Sequence, residues 1–183
     1  MKKIVLTFGI IAGLIPGGIF FFNIPDENSA QSMFENSNGE LIGYASMIIA
    51  LSTIFFAVKQ YRDKHLDGKI KFGKAFLIGI YITLIAGAIY VFAWEIYYTN
   101  FASDFGQLYV EHIKSKMVES GKSELDISKE ITTLEEQMAL YDNNILVRLA
   151  FTFMEIFPVG FAISLICGAI FGVFLKPKHV EVA

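Results

Sequence analysis

Four long apolar blocks divide the chain, each nearly free of charge. Ile4–Phe22 contains no charged residue and lies between Lys2/Lys3 and Asp26/Glu27. Leu41–Val58 is likewise uncharged, between Glu40 and Lys59. Ala75–Tyr98 carries one acid, Glu95, and Leu149–Leu175 carries one, Glu155, before stopping at Lys176. A helix rises about 1.5 Å per residue, so roughly 20 apolar residues cross a hydrocarbon core of about 30 Å. Lipid offers no hydrogen-bond partners, and each crossing segment must satisfy its own backbone as a helix. The pattern predicts an all-α polytopic membrane protein, a bundle of four transmembrane helices over about 4–22, 41–58, 75–98 and 149–175, in one membrane domain spanning 1–183.

The connection 99–148 has a different pattern. Ile127, Ile131, Leu134 and Met138 recur at steps of four, three and four, an amphipathic helical stripe. Phe105, Leu108, His112 and Lys116 mark a weaker face ahead of Gly121, which fits a helix C-cap. An amphipathic helical hairpin turning near Gly121-Lys122-Ser123 is expected. Its apolar stripe either packs on itself, lies on the membrane surface or receives a partner.

Charge adds the orientation. Lys2 and Lys3 precede the first span, and Lys59, Arg62, Lys64, Lys69, Lys71 and Lys74 crowd the connection after the second, opposed only by Asp63 and Asp67. Lys176 and Lys178 follow the fourth span. The connection 23–40 holds Asp26, Glu27, Glu35 and Glu40 and no cation, and 99–148 has nine acids against Lys114, Lys116, Lys122, Lys129 and Arg148. Basic flanks stay inside. Both termini and the 59–74 connection are therefore expected in the cytoplasm, and the hairpin outside it. The first block is read as a span and not a cleaved signal, because its uncharged run is long and the nearest cleavage-like triplet, Asn28-Ser29-Ala30, begins with Asn.

Composition agrees: hydrophobic residues make up 54 %, charged residues 18 %, and mean hydropathy is +0.52. Soluble domains carry about 25 % charged residues. The single cysteine, Cys167, cannot form an internal disulfide and reads as a packing residue.

Within the spans, small residues recur at every fourth position: Gly9, Gly13 and Gly17; Gly79, Thr83 and Gly87; Gly160, Ser164, Gly168 and Gly172. Such ridges let helix backbones approach closely in lipid. With three ridges, most are expected inside the bundle, which leaves room for one in a homodimer. Pro16 and Pro158 are expected to kink their helices. Trp94, Tyr97 and Tyr98 are expected to form an interfacial aromatic belt.

Glu95 and Glu155 are the candidate functional acids, because a charge within the bilayer demands a partner, a water path or protonation. On antiparallel spans both lie toward the outer face at comparable depth, Glu155 the deeper of the two. They either line one pocket or act as structural acids bonded to Tyr, Trp or Arg148. His65, His112 and His179 are scattered, and no Cys/His/Asp grouping has metal-ligand spacing. No phosphate-cradling loop or nucleophile elbow appears. No cofactor is expected, and no catalytic residue. The basic connection needs no nucleic acid, since orientation and anionic lipid account for it.

One further pattern carries a resemblance. Gly43-Tyr44, Ser46 through Ser52, Ile54-Phe55-Phe56, Lys59, Tyr61-Arg62-Asp63, Gly68-Lys69-Ile70 and Phe72 through Phe76 resemble a bacterial membrane-protein family, as do Trp94 through Tyr98 and Glu155 through Gly160. It is a family of four-span inner-membrane proteins of Bacteroidota-type bacteria, catalogued as a domain of unknown function. The resemblance implies a multi-pass location in the bacterial inner membrane and supplies no activity, ligand or catalytic residue. The residues themselves suggest two function classes. The first is a non-enzymatic scaffold or accessory subunit docking through its hairpin onto a membrane-protein partner. The alternative is a small proton- or cation-coupled transporter or channel using Glu95 and Glu155.

Overall fold

A computed structural model describes residues 1–22 and 39–174. The acidic connection, its Asn28-Ser29-Ala30 triplet and the basic tail with Lys176 and Lys178 lie outside the described residues. The order is α1 (Lys2–Phe22), α2 (Gly39–Leu51), α3 (Thr53–His65), α4 (Phe72–Phe101), α5 (Phe105–Glu119), α6 (Glu124–Asn143) and α7 (Ile145–Ala169), which ends in a π-helical turn, Ile170–Phe174. No strand occurs among the described residues.

Among the described residues, four segments are long and apolar enough to cross a membrane: Lys2–Phe21, Leu41–His65, Phe72–Phe101 and Ile145–Phe174. Leu6, Leu14, Phe56, Phe92 and Ile166 are among the many large apolar side chains left on the bundle's surface. An apolar exterior of this extent fits lipid and would drive a soluble protein to aggregate. This is a multi-pass membrane protein. Its helices outrun the apolar blocks: α4 takes in Phe72-Gly73-Lys74, α3 reaches His65, and α7 begins at Ile145. Helix length follows backbone hydrogen bonding, which continues past the lipid boundary until a capping residue stops it.

The second span is not one helix. Ser52 Oγ donates to the Ile48 carbonyl at 2.7 Å, and Thr53 Oγ1 donates to that of Ala50 at 2.6 Å. These side chains compete with the helical ladder, and Phe55 N reaches back only three residues, to Ser52 O, at 3.1 Å. The segment therefore breaks into α2 and α3.

Central α4 packs against α1 on one side and α7 on the other, with α2 and α3 leaning across them. All three small-residue ridges pack against other helices of the chain. A Cβ on Gly13 would meet the Ala86 carbonyl at 2.8 Å, and one on Gly9 would meet Ile85 at 2.8 Å. Spans three and four are reciprocal: a Cβ on Gly79 would strike Ser164, and one on Gly160 would strike Thr83. Both hydroxyls bond back to those glycines' helices, Thr83 to the Gly79 carbonyl at 3.0 Å and Ser164 to the Gly160 carbonyl at 2.6 Å. Polar side chains thus sit at the tightest contact without an unmet donor. Helices α1 and α7 continue through Pro16 and Pro158.

Helices α5 and α6 form the hairpin between spans three and four. Gly121, at φ 73°, supplies the left-handed turn. Ser123 caps α6 by accepting from Asp126 N at 3.2 Å. Ile127 and Ile131 bury themselves with Val110 on α5, flanked by Ile113, Met117, Leu134 and Met138. The α6 stripe therefore packs on its own hairpin. The α5 face is Val110, Ile113 and Met117, not the face through His112 and Lys116; Lys116 is exposed. Phe105 and Leu108 turn instead toward the bundle.

Candidate functional site

At the hairpin end of the bundle, α1, α4, α5, α6 and α7 converge on a group of aromatic rings. Trp94, Tyr97 and Tyr98 project from successive turns of α4 and are buried there with Tyr141 of α6. They do not form an interfacial belt, because Phe20 of α1 and the feet of the hairpin cover them. Phe20 lies 5.0 Å from the Trp94 ring, and Phe105 meets Trp94 edge-on at 5.1 Å. Burial of Trp and Tyr is tolerated where their polar ends find partners. Trp94 Nε1 donates to the Tyr141 hydroxyl at 2.6 Å, and the Tyr98 hydroxyl donates to Asp142 Oδ1 at 2.9 Å. Burial pushes the Tyr141 hydroxyl up to about 12, so it stays protonated at neutral pH. Gly106 matters here, since a Cβ on α5 at this point would run into the Asp142 carboxylate.

Arg148 ties the group together. Asn144 ends α6 and caps α7, its Oδ1 accepting from Leu146 N at 3.0 Å. That tight corner sets Arg148 one turn into α7, facing back toward α6. Its Nη2 and Nε donate to the two oxygens of Glu95 at 2.7 and 2.8 Å, a bidentate pair. Its Nη1 donates to the carbonyls of Tyr141 at 3.1 Å and Asp142 at 3.2 Å. These carbonyls belong to the last turn of α6, where acceptors lack helical partners and a cation is favourable. The guanidinium also stacks 4.1 Å from the centre of the Tyr98 ring. One buried side chain, 6 % exposed, thus joins α4, the C-terminus of α6 and α7.

The second acid stands apart. Glu155 lies on the bundle surface, and its Oε2 accepts from the Tyr90 hydroxyl at 2.9 Å. Glu95 and Glu155 therefore hold different partners and do not share a site. At the opposite end, Arg62 pairs with Asp63 at 2.7 Å and covers the Phe171 ring at 5.1 Å. Cys167 is buried. Among the described residues no group of three His, Cys, Asp or Glu could hold a metal ion.

Pairing of Arg148 with Glu95 is readable from sequence, because both sit near the adjoining ends of antiparallel spans. Tyr141, Asp142 and Trp94 as bonded partners are not. The available signal was Asn143-Asn144, which marks a helix end just ahead of Arg148 and so places free carbonyls within its reach.

This fold and this network span nearly the whole chain, and so does the family match: the model for "Protein of unknown function (DUF4199)" covers residues 7–172. The chain belongs to the DUF4199 family. The matched region of this DUF4199 protein takes in Glu95, Tyr141, Asp142, Arg148 and Glu155. No curated protein and no solved structure gives a significant match.

Proposed function

We propose that this DUF4199 protein is a non-enzymatic scaffold or accessory subunit of the bacterial inner membrane, holding a rigid helical hairpin outside the cytoplasm for a membrane-protein partner. The observation that carries it is the Arg148 clamp. A cation and a carboxylate are committed to fixing the foot of the hairpin to spans three and four, which suits a hairpin held at a set angle. The orientation rests on the basic connection 59–74 and the acidic balance of 99–148. Since the hairpin's own stripe is internal, docking falls to its outer faces, where Val118, Leu125 and Leu140 are exposed.

The transporter alternative needs two acids acting together. Glu95 is neutralised by Arg148 and Glu155 engages Tyr90, which favours the scaffold.

The test is crosslinking in native membranes, then purification through a C-terminal tag. A near-stoichiometric second protein is expected. Replacing residues 113–131 with a short Gly-Ser turn leaves Tyr141, Asp142 and Arg148 in place and should release that protein. Self-crosslinks alone, or a complex indifferent to the shortened hairpin, would overturn the reading.

A further inference from the structure

Three of the acids carried by the spans are Asp63, Glu95 and Glu155. Asp63 meets Arg62 and Glu95 meets Arg148, each at 2.7 Å. Glu155 has no cation among the described residues. Tyr90 occupies one of its oxygens, and Oε1 has no partner there. The span from Ile145 to Phe174 has 30 residues, about 45 Å of helix against a hydrocarbon core of roughly 30 Å. Ten residues in, Glu155 falls roughly 7–8 Å below the hydrocarbon boundary if the span is centred.

Its surroundings are exposed too. Phe151, Met154, Glu155 and Pro158 form one open face of α7. Pro158 has no N–H, so the Met154 carbonyl four residues back loses its ladder bond. Glu155 Oε1 and the Met154 carbonyl are thus two acceptors on neighbouring residues of this exposed face. An ionised carboxylate in such a place is unfavourable unless a donor reaches it. Lys and Arg bring several donors and no acceptor, which suits both oxygens at once.

We propose that this face of α7 receives a transmembrane helix of a different protein, which sets a Lys, Arg or His against Glu155. The inference rests on the accessory-subunit reading and adds a second, intramembrane contact to it. A second copy of this chain cannot serve in the same orientation. Of the cations on its own spans, Arg148 is committed to Glu95, and Arg62, Lys64 and Lys74 sit at the other end; Lys114, Lys116, Lys122 and Lys129 lie on the hairpin, beyond the span that carries Glu155. The connection 23–38 contains no Lys or Arg. A lipid ammonium is tied to the headgroup layer above the carboxylate. Another helix is the source of complementary charge that reaches this depth.

A benzophenone side chain placed at Met154 in the full chain, in native membranes, tests this, with the same probe at lipid-facing Phe92 as the reference. The expected adduct at Met154 maps to a membrane span with a Lys, Arg or His within one helical turn of the link, and is absent at Phe92. Its yield should fall at least ten-fold in Glu155→Gln while Cys167 stays unreactive, which reports an intact bundle. Neutralising the mapped cation on the partner, with this chain untouched, should give the same loss. Lipid adducts alone, an adduct to a second copy, a captured span without a cation, or a yield insensitive to the partner's cation would each overturn the proposal. If the hairpin-dependent partner persists while the Met154 adduct fails, this inference alone falls. If the adduct forms but shortening the hairpin changes nothing, the hairpin reading falls instead.

Discussion

Replacing Glu95 by Gln keeps the side chain's shape and removes its charge. Both carboxylate oxygens receive Arg148, at 2.7 and 2.8 Å. Each such charge-assisted bond is worth about 1.5–3 kcal/mol, against about 1 for a neutral one. The amide can accept one N–H through its oxygen, but its NH2 group then faces a second donor. One bond is lost and the other weakened, a cost of about 3 kcal/mol, which agrees with the roughly 3–5 kcal/mol for breaking a buried pair. The guanidinium keeps part of its support from the Tyr141 and Asp142 carbonyls and the Tyr98 ring. Arg148→Met should cost more, about 4 kcal/mol, because it strands the carboxylate and uncaps α6 together. The double variant Glu95→Gln/Arg148→Met leaves no buried charge, and its cost should fall about 2 kcal/mol short of the two singles combined. Trp94 is the chain's one tryptophan and bonds to Tyr141 inside this network, so its emission during unfolding in mixed micelles reads the site directly. Thiol labelling of buried Cys167, in the core between the spans, reports the bundle independently. Effects that add to within about 0.5 kcal/mol, or a Glu95→Gln cost below about 1 kcal/mol, would mean a solvated ion pair and refute the clamp.

Gly160→Val should destabilise the bundle by about 1–3 kcal/mol through its clash with Thr83, while Gly43→Ala, with nothing within 4 Å, should be silent in the same unfolding titration. Ile131→Ala should loosen the hairpin by about 2–4 kcal/mol, and hydrogen exchange should quicken along α5 and α6 but not in α1, α4 or α7. The Tyr141 hydroxyl titrates at its ordinary 10.0 when unfolded and at about 12 when folded, so the folded chain holds that proton more tightly. Stability from this group is complete below pH 10 and drains away as pH rises toward 12, by at most about 1.4 kcal/mol per pH unit; the wild type should lose more than Tyr141→Phe over that window.

The membrane architecture was legible because one physical rule, the exclusion of charge from lipid, acts on each segment separately. Ile4–Phe22 reads as a span whatever the rest of the chain does. The break at Ser52-Thr53 was not, because two hydroxyls barely lower the hydropathy of their block and act instead through hydrogen bonds to Ile48 and Ala50. Lateral choices were equally hidden. The ridges announce close packing, but nothing local says that Gly79 meets Ser164 and Gly160 meets Thr83. The aromatic run at Trp94 reads as a belt until the hairpin, folded over it, buries it.

The two acids differ for the same reason. In lipid, apolar contact between helices gains little over contact with acyl chains, and so packing shape and polar bonds decide which surfaces meet. Glu95 looks like Glu155 in sequence, each one acid in a long apolar block. Antiparallel packing gives Glu95 a cation from the next span and turns it into structure. Glu155, two turns beyond Arg148 and outward-facing, keeps one oxygen open, and no cation among the described residues pairs with it. A pair closed within the chain fixes its fold, and a carboxylate left half-satisfied on the lipid face selects the helix that packs beside it. The difference between them lies in which helix each carboxylate faces, and that is decided by packing that no single span encodes.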